Sequence, residues 1–210
     1  MKNKNVHIST HPLILDKVSK IRDKKTSIRH FRELMSEISM LLGYEALASL
    51  KLKNTIVTTP IGKSKDKILD QEIILVAILR AALGMIDGVI KLCPDAKMAH
   101  IGIYRNENTL TPVRYYFKTP RRMKNNFVLL VDPMLATGGS AIESAKMLKE
   151  RGANKICFLC LLAAQKGLNA FTKAHPDIPV FVAAVDKNLN NKGYIVPGLG
   201  DAGDRTFGTL

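Results

Sequence analysis

Tryptophan is absent from this chain of 210 residues, aromatic residues make up only 6% of it, and there are only three cysteines. An odd and small number of cysteines does not suit a disulfide framework and predicts a reduced compartment. No apolar run approaches the roughly 18 residues that cross a bilayer, and no secretory apolar segment follows the first basic residues. We therefore expect a cytoplasmic protein without a membrane partner.

Acidic residues are also scarce, because 18 Asp and Glu stand against 32 Lys and Arg and leave a formal net charge of +14. The surplus is local: residues 1–32 carry nine basic against two acidic residues, and residues 114–124 carry five against none. Such segments either contact RNA or other polyanions, or are solvated surface. No nucleic-acid-binding motif accompanies the charge, so we favour solvated surface and expect no nucleic-acid partner.

Two of the cysteines, Cys157 and Cys160, have a Cys-x-x-Cys spacing that elsewhere indicates a metal or redox site. They lie inside the apolar run Ile156–Ala164, which predicts a buried strand. Side chains three positions apart in a strand point to opposite faces, so these thiolates cannot share one metal. We expect two buried, unreactive thiols.

What the chain does contain is an alternation of apolar strands and amphipathic helices. Apolar runs without polar alternation predict buried strands at residues 72–79, 98–103, 127–131, 156–164 and 180–185. Apolar residues spaced by three and four predict a short helix after His11 and a long one within residues 27–51. This order predicts the α/β class, with a mainly parallel open sheet flanked by helices in a single domain, residues 1–210.

Two segments stand apart from this alternation. Residues 110–120 combine prolines, aromatics and cations, which predicts an extended β-arm, about residues 104–126, that leaves the domain. Exposed aromatics on an arm indicate a partner surface, so a homo-oligomer is expected. Residues 56–59 predict a short strand, and residues 60–66 a turn with charged flanks.

Residues 127–152 carry the first functional signal. A buried strand ends at Asp132-Pro133, a loop of small residues follows at 137–140, and a helical pattern then runs to Gly152. A strand, a small-residue loop and a helix present free backbone N–H groups to a phosphate. An ordinary strand-to-helix turn is the alternative. Ser140 and Ala141 stand where an ATP-type P-loop needs Lys and Ser or Thr, so such a loop is disfavoured.

Two arginines add to this signal, because Arg80 and Arg105 each end another predicted strand. Ligands of open parallel sheets bind beyond the carboxyl ends of the strands. If these strands are parallel neighbours, both guanidinium groups converge with Asp132. A guanidinium suits bidentate binding of pyrophosphate, and a structural salt bridge is the other interpretation of Arg80.

The tail, residues 193–205, is the second unusual stretch because of its glycine density. Gly198, Gly200 and Gly203 match the dinucleotide-binding spacing formally, but only seven residues follow, which leaves no helix and no βαβ unit. Such density indicates that the backbone approaches a ligand or another segment closely. A flexible tail is the alternative.

The chain resembles the uracil phosphoribosyltransferases along nearly its whole length. The resemblance rests on residues 11–13, 31–34, 78–81, 84–85, 104–107, 131–140 (VDPMLATGGS) and 194–205 (YIVPGLGDAGDR). The last two segments are long and specific, and Asp132-Pro133 replaces the double acid of many phosphoribosyltransferases. The resemblance implies the type I phosphoribosyltransferase fold with a C-terminal base-binding segment, about residues 187–210. It also implies conversion of uracil and 5-phosphoribosyl 1-diphosphate (PRPP) to UMP and diphosphate with Mg²⁺.

The resemblance further implies a role for each matching residue. Arg80 and Arg105 would bind the pyrophosphate, Asp132 the ribose hydroxyls, and Asp132 and Arg105 would be the catalytic residues. Asp201 would face the Mg²⁺–PRPP side as a candidate metal ligand, while Mg²⁺ is held mainly through PRPP. The PRPP-binding residues are Arg80, Arg105, Asp132, Pro133, Met134, Leu135, Ala136, Thr137, Gly138, Gly139, Ser140 and Asp201. The uracil-binding residues are Ile195, Gly200, Asp201 and Ala202.

Two points depart from the family or stay open. Ala82 stands where the family usually has glycine, which would strain the pyrophosphate loop if that position needs a positive φ. Activation by GTP and a dimeric or tetrameric state are known in parts of the family, and the sequence decides neither. The alternative function is an RNA-binding regulator of pyrimidine genes on the same fold, motivated by the basic segments.

Overall fold

The structure is a computed structural model that describes residues 5–105 and 112–209. Its helices are α1 (Pro12–Arg22), α2 (Ile28–Leu47), α3 (Leu83–Leu92), α4 (Gly139–Glu150), α5 (Gln165–Ala174) and α6 (Ala202–Phe207). Its strands are β1 (Val6–Ile8), β2 (Leu52–Thr59), β3 (Gly62–Leu69), β4 (Ile73–Leu79), β5 (Lys97–Arg105), β6 (Pro112–Lys118), β7 (Phe127–Val131), β8 (Met134–Leu135), β9 (Ile156–Ala164), β10 (Val180–Asp186), β11 (Asn188–Leu189) and β12 (Ile195–Val196).

An eight-stranded sheet forms the centre, with the strand order β1-β10-β9-β7-β4-β5-β6 and β8 paired to β9. Every pairing in it is parallel except that of β5 with β6. This confirms the predicted α/β class and the mainly parallel sheet. The strand order changes direction between β4 and β7, since β5 follows β4 on one side and β9 and β10 follow β7 on the other.

Helices cover both faces of the sheet, which explains why its strands show no polar alternation. On one face Leu75 and Leu129 pack in a core that includes residues of α1, α2 and α3. On the other face Ile74 and Val128 pack in a core that includes residues of α4 and α5. Consecutive residues of one strand thus fill two different cores, so both positions must be apolar.

The cysteines follow the same rule. Cys157 belongs to the core on the α2 side and Cys160 to the core on the α4 side, so the predicted opposite orientation is confirmed. Burial raises the pKa of both thiols, and the nearby Asp132 adds to the rise for Cys160. Both are free thiols, as predicted.

Local sequence signals set the helix ends. Ser27 caps α2 by accepting a hydrogen bond from the His30 N–H, and Pro12 occupies the first turn of α1. Helix α4 is terminated by Gly152, two residues after its last helical residue, with a φ of +93°. The Gly152 N–H donates to the Lys149 carbonyl and the Ala153 N–H to the Leu148 carbonyl, a Schellman ending that confirms the predicted terminator.

Two β segments differ from the prediction. The strand expected at residues 56–59 runs over the whole of β2, and β3 begins at Gly62 inside the expected turn, so both form a hairpin apart from the main sheet. Within the expected arm, β6 is the antiparallel edge strand of the main sheet beside β5. Tyr115, Tyr116 and Phe117 on β6 are exposed, as expected. Residues 106–111 lie outside the described residues.

Within residues 5–105 and 112–209, no helix has both the length and the apolar character needed to cross a membrane.

Candidate functional site

The predicted site residues gather at the point where the strand order reverses. Arg80 directly follows β4 and Asp132 directly follows β7, and these two strands are parallel neighbours. Arg105 is the last residue of β5, the next parallel strand, and its side chain lies outside what the structure describes. The reversal point at the carboxyl edge is where open α/β sheets bind ligands. The predicted convergence of the three strand ends is therefore confirmed for the backbone.

Asp132 sits in a partly buried position at this edge. Its N–H donates to the Leu159 carbonyl at 3.2 Å, and one carboxylate oxygen accepts from the Met134 N–H at 3.5 Å. Burial raises the pKa of its carboxyl from 3.8 to about 7, and the Met134 contact opposes the rise only weakly. The site thus holds an acid that takes up a proton near neutral pH and gains from polar partners such as hydroxyl groups.

The loop after Asp132 is tied to the sheet and then opens onto helix α4. The Pro133 carbonyl accepts hydrogen bonds from the N–H groups of Leu161 and Leu162, and β8 pairs with β9. Gly138 precedes the helix with φ +90°, a left-handed conformation that favours glycine. Its N-cap position leaves the first N–H groups of α4 without helical acceptors, which is the geometry of an anion site.

Helix α5 presses on the back of this loop at Gly167. A Cβ on Gly167 would lie 2.3 Å from the Ala136 carbonyl oxygen and 2.6 Å from that of Leu135. Only a residue without a side chain permits this approach, so Gly167 helps to define the loop's shape. Sequence analysis did not select it, although a glycine in the first turn of a helix is a costly choice and was the available signal.

The segment after β4 places Arg80 on the surface. Its guanidinium lies 5.7 Å from the Phe207 ring centroid, a cation–π contact, and the Leu79–Arg80 peptide is cis. Among the described residues no carboxylate forms an ion pair with Arg80, which does not support the salt-bridge interpretation. Ala82 has φ −66° and ψ −13°, an ordinary helical conformation. The strain considered for Ala82 is therefore absent.

The tail folds over this segment. Strands β11 and β12 form a two-stranded antiparallel sheet, and α6 follows Asp201. The expectation that this end of the chain leaves no helix was wrong, because α6, six residues long and capped by Asp201, begins at Ala202 and contains Gly203. A Cβ on Gly203 would lie 3.9 Å from the Ala81 side chain, so the start of α6 adjoins the Arg80 segment.

The predicted base-binding residues have distinct environments within the tail. Ile195 and Ala202 are buried, whereas Gly200 is exposed with φ +82°. Asp201 accepts a hydrogen bond from the Asp204 N–H at 2.9 Å through Oδ1, so this oxygen caps α6. No hydrogen bond joins the backbone of Gly200 to any other residue that the structure describes. Gly200 thus offers an N–H and a C=O to a ligand.

Four charged residues, whose anchoring role the sequence did not reveal, hold the tail in place. Arg205 donates to the carbonyls of Leu199 and Ile21 at 2.8 Å each. It also lies 4.4 Å from the Phe31 ring centroid. Arg32 donates to the Thr206 carbonyl at 2.6 Å, and Arg22 and Asp186 bind each other and Gly198. The flexible-tail alternative is therefore wrong.

Any metal at this site would draw on few protein ligands. Within the described residues there is no cluster of three or more His, Cys, Asp or Glu side chains that could hold a metal ion. The acids available at this edge are Asp132 and Asp201, and Asp201 already uses one oxygen as a cap. This set fits a Mg²⁺ ion that takes most of its oxygen ligands from a substrate, the usual arrangement for Mg²⁺ with phosphates.

Comparison with known proteins places this geometry in one family. A uracil phosphoribosyltransferase of Geobacillus sp. (strain WCH70) is 50% identical over 205 residues, which cover 97% of this chain and 98% of that protein. The solved structure of protein AQ2163 from Aquifex aeolicus has a TM-score of 0.92 at 38% identity and covers 96% of this chain and 97% of that chain.

More distant structures share the fold alone. An adenine phosphoribosyltransferase of Thermoanaerobacter pseudethanolicus has a TM-score of 0.52 at 12% identity, over 75% of this chain and 84% of that chain. The model of the uracil phosphoribosyltransferase family matches residues 8–209, a span that includes the β4 and β7 ends, the loop before α4 and the tail. The chain therefore belongs to the uracil phosphoribosyltransferase family.

Proposed function

We propose that this protein is a pentosyltransferase of pyrimidine salvage that converts uracil and PRPP to UMP and diphosphate. The observation that carries the proposal is the contact of the tail with the Arg80 segment, which lies at the same edge of the sheet as Asp132 and the phosphate-type loop, within a family match over residues 8–209. The RNA-binding alternative is supported by none of the relatives above. Arg114, one of the basic residues that motivated this alternative, forms ion pairs with Glu143 and Glu150 of the same chain.

The loop before α4 is the proposed site for the 5′-phosphate. Backbone N–H groups of residues 136–140 and the hydroxyls of Thr137 and Ser140 would bind the phosphate oxygens at the positive end of the helix. The contacts of Pro133 and Gly167 behind the loop support this role, because they hold its backbone before any ligand arrives. Pro133, Met134 and Leu135 connect this loop to Asp132.

Asp132 is the proposed partner of the ribose hydroxyls. A carboxylate accepts hydrogen bonds from two hydroxyls, and each such bond favours the ionised form. With its pKa raised to about 7, the carboxyl of the free protein is only partly ionised near neutral pH, and bound ribose hydroxyls would favour its ionised form further. Asp132 would then hold the sugar while positive charge develops on its ring.

Arg80 and Arg105 are the proposed pyrophosphate ligands. During the transfer the bond from C1′ to the pyrophosphate oxygen breaks with its electron pair going to the diphosphate, N1 of uracil bonds to C1′, and the proton of N1 passes to the diphosphate or to solvent. Negative charge grows on the leaving diphosphate, so cationic groups aimed at it lower the barrier. Mg²⁺, when bound through PRPP with Asp201 as a candidate ligand, supplies further charge to the same group.

The tail is the proposed uracil site. Uracil offers alternating carbonyl and N–H groups, which pair with backbone N–H and C=O groups as well as with side chains. Gly200 is exposed and its backbone has no partner among the residues described, so it suits this role together with Ile195 and Ala202. A backbone reader also explains why glycine is dense here, since side chains would fill the space that the base needs.

The test is UMP formation by the purified protein with PRPP and Mg²⁺, comparing uracil with cytosine and the purine bases. Of these bases, we expect only uracil to be converted. The proposal is refuted if no UMP forms from uracil. Asp132→Asn should abolish turnover while the exposed variant Asp95→Asn keeps it. Full activity of Asp132→Asn would refute the role of that residue.

Further proposals concern assembly, effectors and location. The exposed aromatics of β6 support a homodimer or homotetramer, which sedimentation analysis checks against a monomer of 23.2 kDa. The family resemblance extends to GTP as an effector, and UMP formation with and without GTP tests it. The three free thiols support a cytoplasmic location, which fractionation of the source cells tests.

A further inference from the structure

We propose that Arg22 and Asp186 are positioning residues that fix the turn at residues 197–200 and thereby set the affinity for the base. The inference rests on the proposed function, since it assumes that the neighbouring Gly200 binds uracil. Arg22 ends helix α1 and Asp186 ends strand β10, so both belong to the body of the domain and not to the tail.

The two side chains form a bidentate pair that also grips the tail backbone. Arg22 Nη1 donates to Asp186 Oδ2 at 2.7 Å and Nη2 to Oδ1 at 2.9 Å. The same Nη1 donates to the Gly198 carbonyl at 2.8 Å, while the Gly198 N–H donates to Asp186 Oδ2 at 3.0 Å. Both polar backbone groups of Gly198 are therefore bound by one ion pair.

Burial makes this network sensitive to the loss of either partner. Asp186 is 8% exposed, and the Arg22 side chain keeps 22% of its surface exposed. Removing one member leaves the other charge poorly solvated and unpaired, so the surrounding backbone has to rearrange. The turn is also tightly packed at Gly198. No residue with a side chain fits there, because a Cβ would lie 2.1 Å from the Ile195 carbonyl oxygen.

Two residues of the turn have their carbonyls bound by arginines, and the residue after them is exposed. The carbonyl of Gly198 is held by Arg22 and that of Leu199 by Arg205. The next residue, Gly200, is exposed and its backbone is unengaged by the residues that the structure describes. Anchoring two consecutive carbonyls fixes the direction of the next peptide group. The ion pair therefore acts on uracil through the turn, and not by contact.

The position of the ion pair behind the turn predicts an effect on the binding of uracil and not of PRPP. The loop after Asp132 is held by bonds of Leu161 and Leu162 to Pro133 and by the approach of Gly167 to Leu135 and Ala136. The side chains of Arg22 and Asp186 bond each other and Gly198, and neither bonds Asp132 or residues 136–140 in the part of the chain that the structure describes. A looser turn should therefore weaken uracil binding and leave the binding of PRPP nearly unchanged. A purely structural ion pair would lower stability and change the KM of both substrates together, or of neither.

The experiment compares Asp186→Asn and Arg22→Lys with the control Arg29→Gln. Asn keeps the size of Asp186 but loses the charge. Lys keeps the charge of Arg22 but cannot bond both carboxylate oxygens and Gly198 at once. Arg29 is also an arginine paired with an acid, but its side chain is 90% exposed. Kinetics with each substrate varied are combined with hydrogen exchange of residues 194–203 in the free protein.

We expect Asp186→Asn to raise the uracil KM about tenfold or more and the PRPP KM by no more than about twofold. Exchange of residues 194–203 should accelerate, Arg22→Lys should be intermediate, and Arg29→Gln unchanged. If Asp186→Asn does not fold, Arg22→Lys decides by the same criteria. An unchanged uracil KM, or an equal rise in both KM values, refutes the positioning role. A wild-type protein that forms no UMP refutes the proposed function instead.

Discussion

Replacing Asp132 by asparagine should make the free protein more stable at alkaline pH while it abolishes turnover. Burial raises the pKa of this carboxyl from 3.8 to about 7, so the folded chain binds more protons than the unfolded chain between these values. Stability from this group is therefore present at low pH and is lost as the pH rises towards 7. Asparagine keeps the acceptor for the Met134 N–H and carries no charge.

The expected difference in the free energy of unfolding follows from the same change in pKa. A change of pKa from 3.8 to about 7 corresponds to about 4 kcal/mol at about 1.4 kcal/mol per pH unit. The residue is only partly buried, so we expect Asp132→Asn to raise the free energy of unfolding by about 2 to 4 kcal/mol at pH 8. Near pH 4 the difference should be below about 1 kcal/mol, because the carboxyl is neutral in the folded state and only about half ionised in the unfolded state.

Urea unfolding of the free protein at pH 4.5, 6, 7 and 8, in buffers without phosphate, measures this difference. The exposed variant Asp95→Asn is the control, and its difference from wild type should stay constant with pH. A difference for Asp132→Asn that does not grow between pH 5 and 8 would refute the burial argument. Gained stability together with lost turnover is the signature of a residue kept for function.

Three further predictions concern the same edge of the sheet. Because ribose hydroxyls need an ionised acceptor, kcat/KM for PRPP should fall below about pH 7 as Asp132 takes up a proton, and a flat profile down to pH 5.5 would contradict this. Gly167→Ala forces a Cβ against the Ala136 carbonyl and should raise the PRPP KM about tenfold, whereas Gly62→Ala, with open space around its Cβ, should not. Ala82→Gly should lower stability by about 1 kcal/mol in thermal unfolding without improving PRPP binding, because Ala82 is already helical.

Much of the fold was predictable because it rests on periodicity. The strand at residues 127–131 was predicted at its observed bounds, since five apolar residues followed by Asp-Pro leave one interpretation. Of the hairpin of β2 and β3, only residues 56–59 of β2 were predicted as a strand. Strand β3 was missed because it is mostly exposed, and Lys63, Lys65 and Lys67 carry no apolar signal. The strands of the hairpin are held by pairing between them, which single-strand patterns do not show.

The candidate site was also predictable only in part. Residues that meet the proposed ligand are close in sequence within each motif, so a strand end or a glycine-rich segment reveals them. The short helix α6 was missed because the seven residues after Gly203 were judged too few for a helix. It instead begins at Ala202, where Asp201 caps it, and it packs against α2.

The pairing of Arg22 with Asp186 could not be predicted from local sequence. Arg22 and Asp186 are separated by 164 positions and meet only because α1 ends beside the carboxyl end of β10. The sequence did hold one signal, since Asp186 ends a buried strand as Asp132 does. An acid at that place needs a cation, several hydroxyls or N–H groups as partners. The Asp132 carboxylate accepts one hydrogen bond, from the Met134 N–H, and can accept others from a ligand. The Asp186 carboxylate accepts hydrogen bonds from Arg22 and Gly198. The same residue type at two strand ends is therefore distinguished by its bound partners, and the proposed substrate contact falls on the acid that has few of them.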